Sequence, residues 1–238
     1  MGAALGWGVL AASSLVLGMA LGLARSWPNR LIGLVLAFGA GALVSAVSFE
    51  LFEEGVAVGG APAVGIGLAV GALVYFVLSR VVERLGPGGA GEGSAGGSAL
   101  ALGAFLDGIP EQLVLGIGIA AGAGVSVGLL AAIFVSNLPE AIGSATDMRE
   151  AGTRPTAIRA LWFGVAALCA LATPLGYLVA EGAGGHFLAG INGFAAGALL
   201  VMLVDSMIPE ATVKSGRVAG LATTLGFAVA AGLSSATA

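Results

Sequence analysis

The chain has 238 residues, of which 58% are hydrophobic and 9% charged, with a formal net charge of −4 at neutral pH. Soluble globular domains carry roughly a quarter of their residues as Asp, Glu, Lys and Arg, so an ordinary water-facing surface is excluded and the chain reads as an integral membrane protein whose first partner is the lipid bilayer. The acidic balance offers nothing to a nucleic acid, and the single cysteine, Cys169, excludes an intrachain disulfide.

Lipid has no partners for unpaired backbone groups, so apolar runs near 20 residues without strict alternation predict helices. Eight such runs follow one another, at about 3–24, 31–53, 62–83, 98–121, 125–147, 157–180, 187–209 and 218–236. The expected fold is an all-α membrane protein of eight transmembrane helices in a single domain. No basic stretch precedes the first run, which exceeds the core of a cleaved signal peptide, so it is expected to be a retained span. The 42 glycines predict close helix approach through small-residue faces, which also permit a homodimer. Between the third and fourth runs, GPGGAGEGSAGGS (Gly86–Ser98) has the composition of a flexible linker and fills most of the loop at 84–98.

All nine basic residues fall in alternate loops: Arg25 and Arg30, then Arg80 and Arg84, then Arg149, Arg154 and Arg159, then Lys214 and Arg217. Cytoplasmic loops retain Lys and Arg, so the pattern predicts a multi-pass protein of the cell membrane with both termini outside the cytoplasm. FGAGALVSAVSFELFEEG from Phe38 aligns without gaps to FAAGALLVMLVDSMIPEA from Phe194. The two copies run in opposite directions, which predicts an inverted repeat of helices 1–3 and 6–8 around a central pair, helices 4 and 5.

That pair carries two short polar words, DGIPE (Asp107–Glu111) and SNLPE (Ser136–Glu140), inside segments otherwise almost free of polar side chains. A carboxylate at such depth is costly unless it is paired, hydrated or holding a cation. Asp107 and Glu111 are four residues apart and Asn137 and Glu140 three apart, so each pair shares a helix face. Pro110 and Pro139 each remove a helix hydrogen bond, freeing the carbonyls of Leu106 and Val135 to bend the helix or meet an ion. Anionic oxygens without thiolate or imidazole suit a divalent cation, and Asp107, Glu111, Asn137 and Glu140 are the expected metal ligands. A proton relay through the crowded carboxylates is the other chemistry open to them.

Over essentially its whole length the sequence resembles the ZIP (Zrt/Irt-like) family of divalent metal transporters, through the span count, the loop after the third span and the two Pro-Glu words. In that family the fourth and fifth spans read His-Asn-x-Pro-Glu-Gly or similar, and the sixth adds a carboxylate in Glu-Pro-Leu-Gly. Pro110, Glu111, Asn137, Pro139 and Glu140 match these positions. Asp107 and Ser136 stand in place of the two His, Gly108 in place of an Asn, and Thr173 of ATPLG in place of the sixth-span Glu. The resemblance implies transport of a divalent cation toward the cytoplasm, with zinc first and manganese, iron, cobalt or cadmium as other substrates. The departures leave a harder, oxygen-only site expected to hold one ion.

Ser136, Gln112 and Thr173 are further candidates for the site or pathway. Glu50, at the outer end of the second span, is a candidate entrance residue. Asp205 and Glu210, near the inner end of the seventh, are candidate exit residues by the resemblance. His186 is read as a surface loop residue, and Trp7, Trp27 and Trp162 as interface or packing residues. No protease-like word is present, so an enzyme is not expected. The competing reading is a membrane protein that binds or senses metal without transporting it.

Overall fold

The computed structural model describes residues 1–85, 95–120 and 126–237, apart from the side chains of 82–85, 95–107 and 236–237. Most of the linker stretch and the side chain of Asp107 therefore lie outside the described residues. Every described element is a helix: α1 Gly2–Ala24, α2 Asn29–Ala46, α3 Glu54–Gly59, α4 Ala61–Leu85, α5 Ala95–Ala120, α6 Val127–Glu150, α7 Pro155–Ala180, α8 Gly185–Met202, α9 Ile208–Ser215 and α10 Ala219–Thr237. A π-helical stretch, Val47–Glu53, joins α2 to α3, and another, Leu203–Met207, joins α8 to α9. Helix α5 begins at Ala95, so the last four residues of the expected linker are helical.

Local chemistry places the ends. Pro155 opens α7, a position where the missing N–H costs nothing. The Ser126 hydroxyl caps α6 by accepting the Leu129 N–H at 3.1 Å. Gly60 ends α3 with φ at 88° and Gly216 ends α9 with φ at 67°, a left-handed conformation that residues with a Cβ rarely adopt.

Six helical units among the described residues are long and apolar enough to cross a membrane; two of them, Asn29–Gly59 and Gly185–Ser235, run through the π stretches, and Gly108–Ala120 is a shorter apolar piece. Large apolar side chains such as Ile66, Leu73 and Leu221 are exposed on the outside, as a lipid-facing surface requires. These features are those of a multi-pass membrane protein.

Two segments share a layout. Helices α2 and α8 are both 18 residues long, and each passes directly into a π stretch. Gly60 lies as far beyond Phe38 as Gly216 lies beyond Phe194, and each reverses the chain. Packing repeats as well: α2 packs most closely on α10 and α4 on α8, while α1 lies along α6 and α5 along α7. In the first pair a Cβ on Gly41 would overlap the Thr223 carbonyl; in the second, a Cβ on Gly197 would overlap that of Leu68. Glycine here brings backbones into contact, the small-residue packing of membrane helices.

One apolar core lies where α2, α6 and α8 meet, around Leu36, Leu43, Ile133, Leu199 and Met202. A second joins α1, α6 and α7 around Leu15, Ile158, Trp162 and Cys169. Trp162 is thus a packing residue, fully buried, whereas Trp27 sits in the first loop with the Arg25 guanidinium 4.5 Å from its ring centre.

Forcing a side chain into the Gly197 contact should cost about 1–3 kcal/mol, the usual penalty of overpacking. Gly197→Leu is expected to lower the unfolding temperature in detergent or abolish a monodisperse peak. Gly164→Ala, which meets nothing within 4 Å, should leave both unchanged or slightly improved.

Candidate functional site

Glu111 is 1% exposed and sits on the face of α5 turned toward α6. Its neighbours in sequence point the other way: Ile109, Pro110 and Leu113 line an apolar groove of about 720 Å³ between α4, α5, α7 and α8. That groove presents almost no polar atoms. Pro110 thus faces the groove while the next residue faces the interior.

The Glu111 carboxylate is held on both oxygens. Ser136 Oγ donates to Oε1 at 2.9 Å and Asn137 Nδ2 donates to Oε2 at 2.9 Å, both from α6. The Ser136 hydroxyl also lies 3.0 Å from the Ile133 carbonyl of its own helix. Consecutive residues of α6 reach the two oxygens because α6 crosses Glu111 at the turn preceding Pro139, where Ser136 packs closely against Gly39 of α2. Ser136 and Asn137 are buried, at 2% and 1% exposure.

Glu111 and Glu140 line one small cavity together with Ser136, Ser206 and Glu210, walled by Leu36, Met202 and Met207. Its volume of about 10 Å³ is close to that of one water-sized sphere. Every glutamate on the cavity follows a proline: Pro110, Pro139 and Pro209. The two central words thus meet, and a third Pro-Glu pair, from α9, joins them. The carboxylates do not close up on one point: no group of three or more His, Cys, Asp or Glu side chains forms a metal cluster among the described residues.

The remaining candidates fall in different places. Gln112 and Thr173 are fully buried and bond each other, Thr173 Oγ1 donating to Gln112 Oε1 at 2.6 Å across α5 and α7. They lie on the α7 side of α5, not among the residues lining the cavity, and Gln112 Nε2 is buried with no hydrogen-bond partner. Gly108 lies against Cys169, whose Sγ would be 2.7 Å from a Cβ there, so a larger residue would need Cys169 to move. Glu50, in the first π stretch, accepts a hydrogen bond at 2.6 Å from Ser234 of α10. Asp205 is exposed, and Ser206 beside it lines the cavity instead. Glu210 is on the cavity and also pairs with Lys214, Nζ to Oε1 at 2.6 Å.

Ser206 and Lys214 are the residues that sequence reasoning passes over. The signal for both is helical spacing, since each is four residues from Glu210 and so on its face; Asp205 is one residue out of register. No family model matches this chain, and no curated protein sequence matches it.

The Ser136 and Asn137 bonds offset the desolvation of Glu111, and an unpaired buried polar group costs about 1–3 kcal/mol, more for a charge. Asn137→Leu should therefore lower thermal stability in detergent clearly. Combining it with Glu111→Met should recover most of the loss, because both polar partners are then replaced by apolar volume. A double variant as unstable as the single would show that the pairing is not what holds the two helices.

Proposed function

We propose that this protein moves a divalent metal cation across a membrane, toward the cytoplasm, through the cavity shared by Glu111, Glu140 and Glu210. The observation that carries this reading is a carboxylate at 1% exposure inside an apolar bundle, opening with two more carboxylates onto a space of about ion size. Hard oxygen donors without thiolate or imidazole suit zinc, manganese, iron, cobalt or cadmium in their divalent forms far better than an anion or an apolar solute.

The membrane frame of the reading is eight spans, with α2, its π stretch and α3 as the second, α8 to α9 as the seventh and α10 as the eighth. The chain reversal at Gly216 supports dividing the last apolar unit in two. The matched helix lengths, π stretches and terminal glycines of the second and seventh spans support the inverted repeat. In this arrangement the cargo is held where α5 and α6 cross, between the two halves, as in many secondary transporters.

The residues divide the work. Glu111 and Glu140 supply the charge that offsets the cation's desolvation, and Asp107 and Asn137 complete the proposed ligand set. Asn137 turns its amide to present Oδ1 in place of Nδ2 as the ion enters, and the Ser136 hydroxyl rotates its proton to Ile133. Glu210 receives the ion on the inner side, with Ser206 between. Glu50 stands at the outer end of the second span as the first carboxylate an entering cation meets.

A second reading, binding or sensing without flux, is favoured by the dispersal of the three carboxylates and by the engagement of Thr173 with Gln112 in place of a further acid. Flux decides between them. Protein reconstituted in vesicles should take up at least one of the five metals above the rate of empty vesicles, and Glu111→Gln or Glu140→Gln should each reduce initial uptake about tenfold or more with expression intact. Saturable binding with wild-type uptake equal to empty vesicles would select the sensing reading.

A further inference from the structure

Lys214 occupies a prepared seat at the inner end of the cavity. Its ammonium lies 2.6 Å from Glu210 Oε1, and its side chain is only 18% exposed. On α6 the amine rests against Gly143, where a Cβ would stand 3.0 Å from Nζ. Gly143 is three residues beyond Glu140, one turn along the same face, so the ammonium lies just beyond the central carboxylates on the cytoplasmic side. On α2, Gly33 lies close against α9 here: a Cβ there would be 2.7 Å from the lysine Cβ, 2.9 Å from the Ser215 nitrogen and 3.0 Å from the Ala211 carbonyl oxygen. Helix α6 thus lacks a side chain at the position where the lysine amine lies, and α9, which carries the lysine, is held close to α2. Asp147, a turn further along α6, is within electrostatic reach of both Lys214 and Glu210.

An exposed i, i+4 pair on a helix needs no such room, since it stands in solvent. Here the lysine is turned onto Glu210, a carboxylate that lines the cavity. Resting on the transport reading, we propose that Lys214 is a tethered counter-cation: its ammonium neutralises Glu210 while no cargo is present, and a departing divalent ion must displace it to use that carboxylate. The lysine then returns to Glu210 as the ion leaves, which favours release and opposes re-entry from inside. The site therefore exchanges cations instead of holding an unpaired carboxylate in the membrane. A lysine suits this role because its compact charge sits on a long flexible stem.

The test is equilibrium binding of Mn²⁺ to the purified full-length protein, followed by the loss of the free-ion paramagnetic signal, with vesicle uptake measured in parallel. Lys214→Gln should tighten Mn²⁺ binding about tenfold, the scale expected when a like charge a few ångströms away is removed in partly screened surroundings. Lys214→Arg should bind like the wild type. Lys214→Gln combined with Glu210→Gln should lose the gain. Gly143→Ala, which displaces the amine without removing its charge, should tighten binding to a smaller degree and carries the test if Lys214→Gln fails to fold. Unchanged or weaker Mn²⁺ binding in Lys214→Gln, or in Gly143→Ala where only that variant folds, overturns the proposal even if wild-type uptake is normal. Absent wild-type uptake with tightened binding in Lys214→Gln overturns transport and leaves the competition between lysine and metal standing.

Discussion

Everything at the centre of this bundle depends on accommodating one carboxylate, that of Glu111, out of contact with water. Burying such a group unpaired would cost several kcal/mol. Two donors from successive positions of α6 remove the problem, and in doing so they fix how α5 and α6 cross. Their crossing in turn brings Glu140 onto the same small space. The third carboxylate, Glu210, reaches it from α9, which packs on α2. The polar centre and the helix arrangement are therefore one constraint.

Much of this is readable from the amino-acid sequence for a simple reason: in an apolar segment, each polar side chain is an anomaly that has to be explained. Glu111, Glu140, Ser136 and Asn137 stood out on that ground, and they are found together. The expected ends of the second and seventh spans, 53 and 209, fall short of the helix ends at Gly59 and Ser215, where Gly60 and Gly216 take positive φ. The rest depends on angles that spacing alone leaves open. Gln112 follows Glu111 directly, yet about 100° of helix rotation sends it to α7 and into partnership with Thr173. Asp205 is an acid but exposed, while its neighbour Ser206 lines the cavity with Glu210. No residue type announces the extra residue per turn of the π stretches. For Asp107 the placement of the side chain lies outside the described residues.

Glycine has a distinct role in the two kinds of contact. Between α2 and α10, and between α4 and α8, it allows backbone to meet backbone. At Gly143 it leaves room for the amine of Lys214, which reaches the Glu210 carboxylate. The same residue type thus removes space in one place and creates it in another, and only the neighbouring element distinguishes the two. Composition alone predicted the first use and gave no hint of the second.

The distribution of those backbone contacts has a mechanical consequence. Helix α5 is fastened to α7, where Gly116 lies against the Thr173 carbonyl, and α6 is fastened to α2, where Gly39 lies against Ser136. Between α5 and α6 themselves no glycine contact is found among the described residues; the Ser136 and Asn137 hydrogen bonds to Glu111 cross that gap. Sliding in a glycine-sealed joint meets immediate steric resistance, whereas side chains can swing. The compliant seam of the molecule therefore runs through the Glu111 hydrogen bonds, so that parting the two helices and unclasping that carboxylate are a single event.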